Sequence, residues 1–295
     1  METLFQVRKL VDKEVTEYWI LKKKVRKIFV FLVLIGILIT VWGFVPVTER
    51  MVLTYQGDTS ADIRIVLVTD LHSCFYGKDQ KALLDRIDRE DPDIVIFSGD
   101  FFDDKLSDEN AKITASDLVR KYPCYYVTGN HEYWSGRVDE MREFMRSIGV
   151  TVLQGECSTI NIEGTDIDIC GVDDPTYMTS SAWKEQLDRA YEASDEDHLR
   201  ILASHRPEQV DTYSDYDFDL ILTGHAHAGQ IRIPFLNIGL FAPDQGVMAK
   251  YVSGKYTLEN GSIMIVSRGL ARESTPLPRV FNHPEIVSIE VVIGP

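Results

Sequence analysis

Three apolar, strand-like runs end thirty residues apart, and each ends in a residue type that binds cations. Ile63–Thr69 runs into Asp70, Asp93–Ser98 into Gly99-Asp100, and Cys124–Thr128 into Gly129-Asn130. Between and after them, Lys78–Arg89, Ala111–Lys121 and Arg137–Ser147 carry helical spacing. The order is therefore βαβαβα, which predicts a mostly parallel sheet covered by helices. Thirty residues is about one such unit. Asp70, Asp100 and Asn130 would then stand together at the carboxyl ends of neighbouring strands, where open α/β sheets present their sites.

The second half changes character. Val150–Leu153, Cys157–Ile162 and Asp166–Val172 read as short antiparallel strands, and Ser180–Glu192 as a helix. Leu199–Ser204 and Phe218–Thr223 read as strands feeding Ser204-His205-Arg206 and Gly224-His225-Ala226-His227. Ala228–Pro234, Ser262–Ser267 and Glu285–Val292 are expected to complete a second sheet. Five of the seven histidines thus fall in polar clusters directly after strands.

Taken singly, these clusters say little. An Asp-x-His such as Asp70/His72 is usually structural, and Gly-Asp is an ordinary turn. Gly129-Asn130-His131-Glu132 and the paired imidazoles His225 and His227 are more telling. At a strand end, residues i and i+2 point to one side, so Asp70 and His72 converge, as do His225 and His227. A two-metal phosphoesterase needs a carboxylate shared by both ions, further oxygen and imidazole ligands, and a bridging water. Asp100, behind a glycine that permits close approach, suits the shared position. A mixed nitrogen and oxygen shell without thiolate suits two divalent ions of Mn, Fe or Zn.

Charge and cysteine content narrow the class. The chain carries a formal charge of −15, yet residues 1–27 hold eight basic and four acidic side chains, leaving the remainder strongly acidic. Such a body repels nucleic acid. Cys74, Cys124, Cys157 and Cys170 show no CxxC spacing, which excludes a zinc ribbon. They read as buried thiols, with two disulfides as the alternative outside the cytosol. Residues 28–45 form an uncharged apolar run about long enough to cross a bilayer, preceded by the basic cluster Lys22–Lys27. The expectation is a signal anchor with its N-terminus in the cytoplasm and everything after Pro46 on the other side. A cleaved signal peptide and a buried helix are the competing readings. The domain plan is a basic segment 1–27, an anchor 28–45, a linker 46–61 and one domain over 62–295.

The ordered set Asp70/His72, Gly99-Asp100-Phe101-Phe102-Asp103, Gly129–Glu132, His205 and Gly224–His227 resembles the calcineurin-like metallophosphoesterases over roughly residues 63–230. Within that family it looks most like the membrane-anchored bacterial branch with UDP-diacylglucosamine pyrophosphatase-type activity. The resemblance implies a four-layer α/β/β/α sandwich of two mixed sheets, here preceded by one transmembrane helix. It implies one metal on Asp70, His72, Asp100 and His227, and a second on Asp100, Asn130, His205 and His225. His131 would contact the phosphate and protonate the leaving group, with Asp103 orienting its ring, and Asn130 would also face substrate. The branch commonly has Gly-Gly-Gln after its last histidine. This chain has Ala228-Gly229-Gln230.

Outside the motifs, Ile231–Pro243 is apolar and turn-rich, consistent with a core hairpin or with a wall facing an acyl chain or membrane. Arg268, Arg272 and Arg279 are candidates for holding substrate phosphate. Tyr133 and Trp134 are placed to rim the site. The function expected is a membrane-anchored phosphoester or pyrophosphate hydrolase acting on a phosphorylated small molecule or lipid-linked substrate. A metal-binding scaffold or sensor without turnover is the alternative. The absence of H-E-x-x-H argues against a zinc protease.

Overall fold

The computed structural model describes residues 2–43, 45–56, 61–232, 239–272 and 279–294, without the side chains of 2–12 and 39–43. The chain forms two compact units, Met1–Gly43 and Phe44–Pro295. The first is a single helix, α1 (Glu2–Gly43). Its apolar side chains from Ile28 to Leu38 are exposed. Among the described residues no helix is long and apolar enough to cross a membrane. The expected span 28–45 includes residues 39–44, whose side chains lie outside the described set.

The second unit opens with β1 (Val47–Gln56) and β2 (Ala61–Val68), and the first helices and parallel strands follow. These are α2 (Lys81–Asp88), β3 (Ile94–Ser98), α3 (Glu109–Leu118), β4 (Cys124–Val127), α4 (Asn130–Trp134), α5 (Val138–Ser147) and β5 (Thr151–Val152). Next come β6 (Glu156–Ile162), β7 (Thr165–Gly171), α6 (Ser180–Glu192), β8 (Leu199–Ala203), α7 (Val210–Tyr213) and β9 (Leu220–Thr223). A hairpin of β10 (Phe241–Ala242) and β11 (Gly246–Val247) precedes β12 (Gly254–Thr257), β13 (Ile263–Val266) and β14 (Glu285–Gly294).

Both large sheets are mixed. One has the order β1-β14-β2-β3-β4-β5 and the other β12-β13-β9-β8-β7-β6. In the first, β2 to β5 run parallel and β14 lies antiparallel to β2. In the second, β13, β9, β8 and β7 run parallel between antiparallel edges. Alternation along each strand builds three apolar layers. Ile63, Ile65 and Leu67 of β2 meet Ile167, Ile201 and Leu222 between the sheets. Val66 and Val68 face the other way, under Leu83 and Ile87 of α2 and Met141 and Met145 of α5. Across the molecule, Leu202, Ile221 and Met264 pack beneath Trp183, Leu187 and Ala190 of α6. The layers are thus α/β/β/α, with strands covered on both faces and accordingly rich in Val, Ile and Leu. Each fully buried aliphatic side chain in the central layer contributes about 1.5–3 kcal/mol.

Several expectations need correction. The segment 46–61 contains no free linker over Val47–Gln56, which is an edge strand paired in parallel with β14. Its Met51, Leu53 and Tyr55 alternate with polar neighbours and pack on the inter-sheet core. Strand β14 joins the first sheet and not the second, because it slots between β1 and β2. Over Ala228–Pro234 the described part is a turn at His227–Gly229 followed by isolated bridges at Ile231 and Arg232. Residues 233 and 234 lie outside the described set. Cys157 and Cys170 sit directly opposite on β6 and β7 and form a disulfide, whereas Cys74 and Cys124 are free and buried.

Candidate metal centre

The strand ends of the two sheets meet at one edge. The Ser98 hydroxyl at the end of β3 donates to the Ser204 carbonyl at 2.7 Å and to the Leu222 carbonyl at 2.9 Å, tying β3 to β8 and β9. Within two residues of the ends of β2, β3 and β9 the backbone leaves the extended region. Asp70, His72, Asp100, His225 and His227 all have φ between 45° and 63°. Such a conformation costs roughly 1–3 kcal/mol per non-glycine residue and persists only where its surroundings hold it. Here Asp70 N donates to Gly99 O at 3.0 Å, and His72 N donates to Asp100 O at 2.9 Å. Gly99, itself at φ 78°, lies so close that a Cβ there would sit 2.4 Å from Nδ1 of His205. The crossing of loops that gathers the site therefore excludes any side chain at this position.

The sequence-predicted donors come together. Ligand atoms of Asp70, His72 and His227 lie within 4.8 Å of one another, as do those of Asp100, His205 and His225, and those of His72, Asp100 and His131. His205 Nε2 is 3.1 Å from Asp100 Oδ2 and 3.9 Å from Asp70 Oδ1. His227 Nε2 is 3.8 Å from Asp70 Oδ1, and His72 Nε2 is 3.7 Å from Asp100 Oδ2. Asp100 thus stands between the two groups. All seven candidate ligands, Asn130 included, are buried. Buried polar atoms are normally paired. Yet His72 Nε2 and Asn130 Oδ1 find no hydrogen-bond partner among the described residues, and Asp100 Oδ2 and His205 Nε2 face each other at 3.1 Å without a well-aligned hydrogen bond. Oxygen and imidazole nitrogen donors left over in this way fit divalent cations.

Electrostatics follow from the crowding. Burial opposes ionisation of Asp100, but the imidazoles of His205, His131 and His72 outweigh it and hold its pKa well below the ordinary carboxylate value. Burial disfavours the charged form of His205, and Asp100 and Asp70 more than reverse this, raising its pKa to about 10. His227 is pushed far down by burial, with His72 and Arg279 adding repulsion. His131 is lowered chiefly by burial.

Several supporting contacts were not foreseen from sequence. Glu132, fully buried, accepts from the backbone N–H groups of Asp100, Phe101, Phe102 and Gly129 at 2.8–3.1 Å. It clamps the loop that carries Asp100 to the start of α4. Its place three residues after Gly129 is the capping-box position, a signal the sequence does contain. His131 Nδ1 lies 2.7 Å from Asp104 Oδ1 and 3.6 Å from Asp103, so Asp104 is its near partner rather than the expected Asp103. Asp103 instead meets His72 Nδ1 at 3.1 Å. Arg206 donates to both carboxylate oxygens of Asp174 and approaches His225 Nε2 at 2.9 Å, where Asp244 Oδ2 also lies at 2.9 Å.

The three arginines take different places. Arg279 is buried and donates to the carbonyls of Ala271 and Arg268. Arg268 pairs with Glu285 at 2.9 Å, and Arg272 lies over the Tyr76 ring and donates to the Phe75 carbonyl. Each is thus engaged by protein groups. Trp134 packs on His131 with ring centres 4.7 Å apart and remains half-exposed, a rim position. Tyr133 is turned to Arg142 and Tyr177.

Comparison with known proteins finds relatives named as metallophosphoesterases. An uncharacterised metallophosphoesterase of Campylobacter jejuni is 31% identical over 78% of this chain and 59% of its own length. A bovine transmembrane protein with metallophosphoesterase domain is 28% identical over 79% of this chain and 54% of its own length. The chain spans little more than half the length of either relative. Among solved structures, the NAD nucleotidase of Haemophilus influenzae matches with a TM-score of 0.47 and 15% identity, covering 72% of this chain and 46% of that one. The model of the calcineurin-like phosphoesterase family matches residues 63–229, more than half of the chain and all of the clustered donors, and the chain belongs to that family.

Proposed function

We propose that the protein is a two-metal phosphoesterase whose ions are held by Asp70, His72, Asp100 and His227 on one side and by Asp100, Asn130, His205 and His225 on the other. The observation that carries this reading is the position of Asp100 between two buried donor groups, with unpaired imidazole and amide atoms around it. When bound, the ions supply neutralisation of phosphoryl charge and a water acidified enough to attack phosphorus. The chain's own residues do the remaining work. Asp100 offers one carboxylate to both positions, and Asn130 adds a neutral oxygen that limits total negative charge. His131 has Nδ1 engaged by Asp104, so Nε2 is the atom left to meet a phosphoryl oxygen and to deliver a proton to the leaving group.

The test is hydrolysis by the full chain of bis-p-nitrophenyl phosphate and p-nitrophenyl phosphate, with Mn²⁺ or with chelator, beside His131→Ala and Asp100→Asn. Turnover that needs Mn²⁺ and is abolished by both substitutions is expected. Folded, metal-loaded protein inactive on both esters and on lipid-linked pyrophosphates would instead establish a metal-binding scaffold.

The same proposal places residues 28–45 across a membrane, the N-terminus in the cytoplasm and residues 46–295 outside. The uncharged run, the preceding basic cluster and the Cys157–Cys170 disulfide, a feature of oxidising compartments, support it. The bovine relative, named a transmembrane protein, points the same way. An amphiphilic phosphoester of the envelope is then the substrate class. Resistance to alkaline carbonate extraction, with protease access to the domain only from outside, tests the placement.

A further inference from the structure

We infer that the edge of the phosphoesterase domain carrying the donor cluster is a bilayer-docking surface that rests on the outer face of the membrane. The inference rests on the anchor reading above for residues 28–45. Its first ground is where the chain enters the domain. Val47 pairs with Glu285 at the start of both β1 and β14. Strand β14 runs antiparallel to β2, with Val287 opposite Leu67, so its start lies beside the end of β2 that leads into Asp70. Glu285 N donates to Gly269 O, and a Cβ on Gly269 would stand 2.5 Å from the Asp70 side chain. The entry is fixed further by two consecutive residues. Asn282 donates to the carbonyl of His227 at 2.7 Å, and His283 holds the carbonyl of Val45 at 3.0 Å. Val45, the last residue of the apolar run, therefore stands at the site edge.

The second ground is the distribution of exposed apolar side chains. Among those described between residues 45 and 294, Val52 lies along an edge strand, Tyr177 stacks on Tyr133 of α4, Leu240 and Met248 flank the β10–β11 hairpin, and the rest adjoin the donor cluster. Val45 is at the entry, Phe75 follows His72, Trp134 packs on His131, and Phe281 precedes Asn282. The β10–β11 hairpin adds Phe241 and Val247, an opposed cross-strand pair that is 49% and 71% exposed. Asp244 in the same hairpin reaches His225, which fixes the hairpin against the cluster. Isolated exposed apolar residues are unremarkable, but a set confined to one rim marks an interaction surface. A strongly acidic body favours the hydrocarbon boundary over anionic headgroups as the attraction. The occupant is a lipid leaflet, and the seated edge presents the cluster to phosphoesters at headgroup depth.

The test uses the full chain reconstituted in palmitoyl-oleoyl phosphatidylcholine liposomes, with a nitroxide on Val247→Cys, on Phe241→Cys or on Glu163→Cys. The native free thiols are buried, and Glu163 lies in the β6–β7 turn at the opposite edge. Accessibility to oxygen and to a water-soluble nickel chelate reads depth. High oxygen and low nickel accessibility at positions 241 and 247, with the reverse at 163, is the expected result. Water-like readings at all three positions in protein that resists carbonate extraction would overturn the docking surface and leave the anchor standing. Release of the chain by carbonate would overturn the anchor, and the docking surface with it.

Discussion

The layer between the two sheets and the edge where those sheets end are built on opposite rules, although only Val68 and Thr69 separate Leu67 from Asp70. Ile63, Ile65 and Leu67 are extended, apolar and wholly buried. Asp70 and His72, just beyond, are equally buried but polar, and their backbones are left-handed. The first region gains free energy by burial. The second spends it on desolvated carboxylates and uncommon dihedrals. The contrast teaches that the donor edge is stable only as an extension of the core behind it, held by backbone hydrogen bonds and by the Glu132 clamp.

The sharpest way to break this comparison is Asp100→Asn. It removes the shared carboxylate while keeping the side chain's size, and turnover should fall roughly 10³-fold or more, about 4 kcal/mol of transition-state stabilisation. The thermal midpoint of metal-free protein should fall, because the carboxylate that His205, His131 and His72 hold ionised is gone and the buried His205 imidazole loses its counter-charge. Calorimetry beside steady-state kinetics checks both. The converse substitution is Ile65→Ala in the central layer, expected to cost about 3 kcal/mol of unfolding free energy in urea titration. Activity per folded molecule should be unchanged, and a loss there would show that the core tunes the site directly.

Glu132→Gln probes the seam between the regions. It replaces an acceptor of four backbone N–H groups by an amide, with an expected cost of about 2 kcal/mol and a roughly 10- to 100-fold drop in metal affinity by isothermal titration. Retained affinity would assign the clamp to folding alone. The smallest expected effect is at His198, far from the donors, whose Nδ1 lies 3.1 Å from Asp168. Burial disfavours its charged form and the Asp168 carboxylate more than compensates, so the folded pKa lies above the ordinary 6.5. Its stabilisation is full below pH 6.5 and disappears as pH rises past the folded value. His198→Gln should therefore cost about 0.5 kcal/mol at pH 5.5 and nothing measurable at pH 9.

The alternation of strand and helix from Ile63 to Ser147 was legible because each element is local and its period is strong. The donors were legible too, because strand ends in a parallel sheet share one edge. What sequence hid was long-range. Strand β14 carries an apolar face that either sheet could accept, and only its pairing with β1 and β2 decides. Val47–Gln56 shows period-two alternation at Met51, Leu53 and Tyr55, yet it follows an apolar run that draws attention to a membrane boundary. Asp104 and Asp244 reach their histidines through loop geometry that no spacing announces.

The pairing of β1 with β14 also sets an order of events for a chain made from its N-terminus. β1 is the first strand of the domain to emerge from the ribosome, and its partner β14 is the last. Until residues 285–294 have been made, the ladder of β1 has no mate and the outer edge of β2 lies open. The nascent domain therefore carries two unsatisfied strand edges until β14 is made, and closure of the first sheet waits on that strand. A truncation that removes β14 would leave both edges open and the first sheet incomplete.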